Sequence, residues 1–268
     1  MTDMAFNVLT IAGSDPSGGA GIQGDLKTFA ACGVYGCAVL TALTAQSTRG
    51  VAAVMPIPAE FVVRQLETLL DDVEIRAVKI GMLGDATVAS AVADVIRRYR
   101  LANVVLDPVM HATAGGAQLE YGALSVIRRE LLPIATVVTP NAAEAGALLG
   151  TDAPRTASES AVVARGIVAL GARAALVTGG HVGGDATCVD VLATSDTVRE
   201  LRVTRVAHGG THGTGCALSS AIAALLASGH DLPSACAEAQ RFVAGAVQAS
   251  QQLRVGRGVA PVHVLGNR

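Results

Sequence analysis

Short runs of aliphatic and β-branched residues alternate with segments of helical periodicity along almost the whole chain, and this alternation limits the fold more than any other feature. Val8–Ala12 reads as a first buried strand, and a Gly-rich turn leads from it into a helix over about Gly21–Ala31. Tyr35–Leu43 is a second apolar run with β-branched residues. Phe61–Leu70 has helical spacing, Ala77–Ile80 is a short strand, Val88–Tyr99 a helix and Val104–Leu106 a strand. Leu124–Leu131 reads as helix and Thr136–Val138 as strand, and Asn141 stands at the N-cap position of the next helix. The second half continues with a helix at Glu159–Leu170 and strands at Ala174–Val177, Cys188–Leu192 and Val198–Val203. It ends in Ala-rich helices at Gly215–Ala227 and Leu232–Gln248. Repeated strand–helix units predict an α/β fold, a doubly wound, mostly parallel sheet with helices on both faces. No internal repeat or linker interrupts the pattern, so residues 1–268 are expected to form a single domain.

Composition agrees with that class. The chain is 51% hydrophobic but only 3% aromatic and has no Trp, so small aliphatic side chains must fill the core, as where helices pack closely on a parallel sheet. A net charge of −2 argues against nucleic acid as a partner. The five cysteines, Cys32, Cys37, Cys188, Cys216 and Cys236, include no C-x-x-C pair, which argues against both a disulfide framework and a zinc site. Met1-Thr2-Asp3-Met4 lacks the positive start of a signal peptide, and the most apolar helix, Cys216–Ala227, is too short to span a bilayer. A cytoplasmic protein without membrane contact is the expectation.

In such sheets ligands bind beyond the carboxyl ends of the strands, so the residues just after each strand carry the information. The strongest motif there is Thr211-His212-Gly213-Thr214-Gly215-Cys216, directly before an apolar helix. Its glycines allow a tight turn, and the helix N-terminus adds N–H groups that converge on one point, a suitable hole for a transferring phosphoryl group. The helix dipole would favour the thiolate of Cys216. The plain alternative, a Gly-rich helix entry with a small buried thiol, stands level with it on the residues alone. A second Gly-rich stretch, Gly13 to Gly21, is neither a P-loop nor a well-formed dinucleotide motif and implies only close backbone approach. Asp107, before Pro108, and Glu144, three residues after Asn141, suit a sparse Mg²⁺ site that relies on phosphate oxygens and water. Their plain alternatives, a turn cap and a dipole partner, are the more economical reading of the two residues by themselves.

Beyond these readings, the run from Leu9 to Phe29 resembles the opening of hydroxymethylpyrimidine/phosphomethylpyrimidine kinases. Similar blocks follow in the family's order: Thr41–Thr48, Lys79–Leu83, Leu106–Met110, Thr139–Asn141 with Glu144, Gly179–His181, His212–Cys216 and Gly256–Val262. The resemblance spans nearly the whole chain. It implies a ribokinase-like fold and successive ATP-dependent phosphorylations of 4-amino-5-hydroxymethyl-2-methylpyrimidine and of its monophosphate, in thiamine biosynthesis. It further implies that Gln46 hydrogen-bonds the pyrimidine edge, with Gly13, Asp25, Met82 and Val109 lining the same pocket. Asp107 and Glu144 would serve Mg²⁺, and Asn141, Thr178 and His212 would serve ATP and its phosphates. Gly213, Thr214 and Gly215 would form the anion hole, with Cys216 assisting deprotonation of the substrate hydroxyl. Relatives of this kind are often homodimers.

Three departures remove positive charge. Thr113, Thr178 and Gly209 stand where the family commonly has lysine. Either His111, His208, His212 or Arg205 compensates, or the activity is altered. Two other readings therefore stay open: a pyridoxine or pyridoxal kinase, and a non-catalytic pyrimidine-binding relative. Gln46 and Met82 favour the pyrimidine, and the complete His212–Cys216 block favours catalysis.

Overall fold

The computed structural model describes residues 6–110, 121–180, 186–207 and 211–266. The chain runs β1 (Asn7–Ala12), α1 (Gly21–Ala31), β2 (Tyr35–Leu40), then a hairpin of β3 (Ala42–Ser47) and β4 (Gly50–Pro56). It continues with α2 (Ala59–Leu70), β5 (Ala77–Ile80), α3 (Ala86–Arg98), β6 (Val104–Leu106), α4 (Tyr121–Val126), β7 (Val137–Val138) and α5 (Ala142–Leu149). After these come α6 (Ala157–Ala169), β8 (Ala174–Val177), β9 (Thr187–Thr194), β10 (Val198–Thr204), α7 (Thr214–Ala227) and α8 (Leu232–Ala249).

Eight strands form one sheet in the order β2-β1-β5-β6-β7-β8-β9-β10. All pairs from β2 to β8 are parallel, while β9 and β10 close the edge as antiparallel strands. Alternate residues of each strand feed opposite cores. Leu9, Ile11, Val78, Ile80, Val104 and Leu106 pack against α2 to α6. Val8, Ala77, Val105, Val137 and Leu176 pack against α1, α7 and α8. This is the expected doubly wound sheet covered on both faces.

Helix α7 lies against β1, β5 and β6 as well as α1 and α8. Its alanines explain the intimacy, because a helix covered on nearly every side needs small side chains to let neighbouring backbones approach. The sheet reverses its winding between β1 and β5, the place where such folds open a crevice at the strand ends. α7 points its N-terminus into that crevice.

Two segments depart from the sequence reading. The Tyr35–Leu43 run divides at Thr41, and its end belongs to the β3–β4 hairpin, a separate two-stranded sheet. Its modest Ala/Thr/Gln alternation carries little signal because β4 is exposed along most of its length. The helix expected over Leu124–Leu131 ends as regular helix at Val126 and continues as a wider π-helical turn, Ile127–Leu131, before Pro133 closes it in a 3₁₀ turn.

Candidate active site

The carboxyl ends of β1 and β5 to β8, the β3–β4 hairpin and the N-terminus of α7 enclose one cleft of about 380 Å³. At one end, Gln46 enters from the hairpin. A register shift between Ala45 and Gln46 re-aims its side chain, and Thr44 Oγ1 lies 3.3 Å from the Gln46 amide oxygen. The hairpin is tied to the loop after β1, since Thr44 Oγ1 also donates to the Ser14 carbonyl at 2.9 Å and Thr44 N–H to Ser14 Oγ at 3.1 Å. Met82, whose carbonyl accepts from Thr41 Oγ1 at 2.6 Å, lies over Gly13, and any side chain there would collide with it. Val109 completes this end.

At the centre, Gly213 caps α7 with φ +85°, and a Cβ on it would run into the Gly19 carbonyl, so only glycine permits this approach. Thr214 N–H donates to the Thr211 carbonyl at 3.3 Å. Helix geometry leaves the following N–H groups, of Gly215 and Cys216, without an intrahelical acceptor. They and the helix dipole form a site that could hold an anion, where the sequence led one to expect the hole. Asp107 stands beside it: a Cβ on Gly215 would lie 3.8 Å from Asp107 Oδ2, which also accepts from Ser219 Oγ at 3.2 Å.

Asn141 and Glu144 cap α5 reciprocally. Asn141 Oδ1 accepts from Glu144 N–H at 3.0 Å, and Glu144 Oε2 from Asn141 N–H at 2.9 Å. Burial, then the Asp107 charge, pushes Glu144 up to about 8, and burial likewise pushes Asp107 up to about 6 against the opposing pull of Lys79. Two carboxylates that resist ionisation side by side are a donor set that a divalent cation would suit. Among the described residues no group of three or more His, Cys, Asp or Glu could hold a metal ion by itself. Thr178 follows β8 and bridges to Asn141 on the cleft wall.

The remaining predicted residues are placed less simply. Asp25 does not line the cleft. It is 0% exposed beneath it, with Oδ2 accepting from Thr10 Oγ1 at 2.6 Å and Lys79 Nζ at 2.9 Å, and Oδ1 from Ser220 Oγ at 2.8 Å. His212 lines the cleft and spends Nε2 on Asp15 Oδ2, at 2.7 Å, so a contact to phosphate would fall to Nδ1. The expected thiolate of Cys216 is also corrected. Burial pushes the thiol up to about 12, and the Asp25 and Asp107 carboxylates work with burial against nearby Lys79 and a hydrogen bond from the Gly21 N–H. Thr113, Gly209, His111 and His208 lie outside the described residues.

The chain is similar over nearly its full length to known enzymes. A family model described as phosphomethylpyrimidine kinase matches residues 15–263. The chain belongs to the phosphomethylpyrimidine kinase family. The hydroxymethylpyrimidine/phosphomethylpyrimidine kinase of Escherichia coli strain K12 is 45% identical over 96% of this chain and 97% of its own length. That of Rhizobium meliloti strain 1021 is 46% identical over 97% of both chains. Among solved structures, an ADP complex of Bacillus subtilis pyridoxal kinase superposes with a TM-score of 0.89 at 36% identity, covering 97% of this chain and 98% of that one. Phosphomethylpyrimidine kinase from Clostridium difficile superposes at 0.79 and 36% identity, covering 90% and 99%. The ribokinase-like fold expected from the sequence is therefore the fold of this family member.

Within this family member, three features went unassigned in the sequence. Lys79 forms a fully buried ion pair with Asp25. Asp15 is held down to about 2: burial would raise it, but bonds from His212, Ser17 and Ala20 prevail. Asp190 is buried with Oδ1 accepting from Gly179 N–H at 2.7 Å, while Arg205 holds the Gly180 carbonyl at 2.8 Å. Lys79 and Asp190 were legible in principle, since a charge inside a run as apolar as Ala-Val-Lys-Ile or Val-Asp-Val-Leu is buried only with a partner.

Proposed function

We propose that this kinase transfers the γ-phosphoryl group of ATP to the hydroxymethyl group of 4-amino-5-hydroxymethyl-2-methylpyrimidine, and then a second phosphoryl group to the resulting monophosphate. The observation that carries the reading is the continuity of the cleft. Gln46, Met82 and Val109 stand at one end and Thr178, Arg205 and Asp190 at the other, with the first turn of α7 between them. A pyrimidine held by the Gln46 amide would offer its exocyclic oxygen to a phosphoryl group seated on the Gly215 and Cys216 N–H groups. Asp107 and Glu144 would hold Mg²⁺, which when bound supplies charge neutralisation to the phosphate oxygens. A loose transition state asks little proton abstraction of the protein, so a protonated Cys216 that orients the hydroxyl is adequate. Arg205 compensates for the lysine that Thr178 lacks by fastening the Gly179-Gly180 turn next to the nucleotide end.

No helix among the described residues is long and apolar enough to cross a membrane. Free thiols and an ATP substrate favour a cytoplasmic setting. A homodimer is favoured by the apolar residues left open on the hairpin, Leu43 at 40% and Met55 at 59% exposure. Sedimentation of Met55→Glu should then shift from dimer to monomer.

Incubation with Mg-ATP and the hydroxymethylpyrimidine, with mono- and diphosphate resolved over time, tests the activity. Diphosphate appearing after monophosphate supports both steps, and monophosphate alone restricts the assignment to the first. The likeness to the Bacillus subtilis pyridoxal kinase keeps a second substrate in view, so pyridoxal is run in competition. Binding of either ring without any product would leave a non-catalytic relative.

A further inference from the structure

We infer that the buried Lys79–Asp25 ion pair is a positioning unit for the anion hole, fixing the height of α7 over the sheet through Ser220; this rests on the kinase reading above. Four elements contribute one side chain each: Thr10 from β1, Asp25 from α1, Lys79 from β5 and Ser220 from α7. Lys79 and Asp25 are 0% exposed and lie 2.9 Å apart, and both carboxylate oxygens are engaged, Oδ2 by Thr10 and Lys79 and Oδ1 by Ser220. The ammonium folds beneath the strand end, where a side chain on Gly81 would meet Lys79 Nζ at 2.7 Å. Lys79 thus belongs to the floor of the cleft while remaining shut off from solvent.

The preceding residue of α7, Ser219, shares its one hydroxyl proton between the Gly215 carbonyl at 2.9 Å and Asp107 Oδ2 at 3.2 Å. Consecutive serines therefore tie the helix to two carboxylates, Asp107 in the site and Asp25 behind it. A well-packed apolar set would join these elements at least as stably. What it lacks is direction: three hydrogen bonds converging on one carboxylate define where the helix stops relative to the strand ends. The N–H groups that receive the phosphoryl oxygens sit one turn above, and a displacement of about 1 Å there is enough to weaken transition-state contacts. Lys79 is also near enough to Asp107 and Cys216 for its charge to act on both.

The test compares Lys79→Met, Asp25→Asn, the double variant and Ser220→Ala in the full chain, by thermal melting and by kcat and KM for pyrimidine and ATP. Either single ion-pair variant should melt lower and lose about 10- to 100-fold in kcat, with pyrimidine KM moved less than about threefold. The double variant leaves no lone buried charge, so it should regain most of the melting temperature and none of the kcat. Ser220→Ala removes no charge, should fold normally and should lose about tenfold in kcat; it decides the question if the others do not fold. A stable double variant, or Ser220→Ala, with wild-type kcat would reduce the pair to a structural role and overturn the inference. A wild-type protein that phosphorylates neither ring would remove the kinase reading and the inference together.

Discussion

Cys216, which the family resemblance casts as an aid to deprotonation, has the wrong electrostatics for a base. It lies at a helix N-terminus, which favours a thiolate, but burial and the Asp25 and Asp107 carboxylates push the thiol up to about 12. Raised in this way, the thiol suits hydrogen bonding and space filling rather than proton abstraction. Cys216→Ala should retain activity, with kcat lowered about tenfold, in the range of a lost positioning contact and well short of a lost base. The kcat of the wild type should show no step attributable to this thiol below about pH 10. Asp107 and Glu144 lead to the opposite kind of dependence. Their folded values, about 6 and about 8, exceed the ordinary 3.8 and 4.5, so the folded state holds extra protons between about pH 4 and pH 8. Stability of the metal-free protein should fall as pH rises through that window, and Glu144→Gln should flatten the fall in a melting series. Mg²⁺ with ADP should raise the melting temperature more at about pH 8 than at about pH 5, because the cation favours the ionised pair.

Helix ends hold the site, and they do so by two unlike devices. α5 begins with a reciprocal side-chain cap, Asn141 with Glu144, so its entry is determined by hydrogen bonds that sequence spacing advertises. α7 begins with no side-chain cap at all; its entry is a left-handed glycine pressed on the Gly19 backbone. The first engages the N–H groups of Asn141 and Glu144, and the second has no side-chain cap and leaves its first-turn N–H groups for an anion. Asn141→Ala should therefore cost about 1 kcal/mol in urea unfolding. Gly213→Ala should instead abolish turnover, since the added methyl must push the loop after β1 and the anion hole apart; phosphate-analogue binding by calorimetry would register the loss.

Across the whole molecule, the C-terminal segment links the pyrimidine end of the cleft to its centre. Gly258 N–H donates to Thr48 Oγ1 at 3.1 Å and Val259 N–H to the Thr48 carbonyl at 2.9 Å, which pins the turn of the hairpin that bears Gln46. One residue on, the Ala260 carbonyl accepts from His212 N–H at 3.3 Å, and Val262 N–H donates to the His212 carbonyl at 3.1 Å, at the approach to the anion hole. Gly258 packs so closely on Thr48 that no side chain fits. Gly258→Ala should loosen the hairpin and raise KM for the pyrimidine about tenfold while leaving KM for ATP near wild type, as steady-state kinetics would record.

Much of this was legible along the chain. The alternation of apolar runs located every strand of the main sheet and the helices between them, and the Asn141–Glu144 spacing marked a helix start that the structure caps as expected. Glycines placed before an apolar helix pointed to the anion hole for the same reason: periodicity, capping and turn chemistry act within a few residues. The hairpin escaped notice because its strands pair only with each other and bury little. The partners of the site's charges were decided by the tertiary structure alone. Lys79 and Asp25 are 54 positions apart, Ser220 and Asp25 195, and His212 and Asp15 197. Whether Asp25 faces substrate or lysine, and whether a helix terminus lowers a thiol or burial raises it, depends on which groups the folded sheet brings within a few ångströms, where Coulomb and desolvation energies become large.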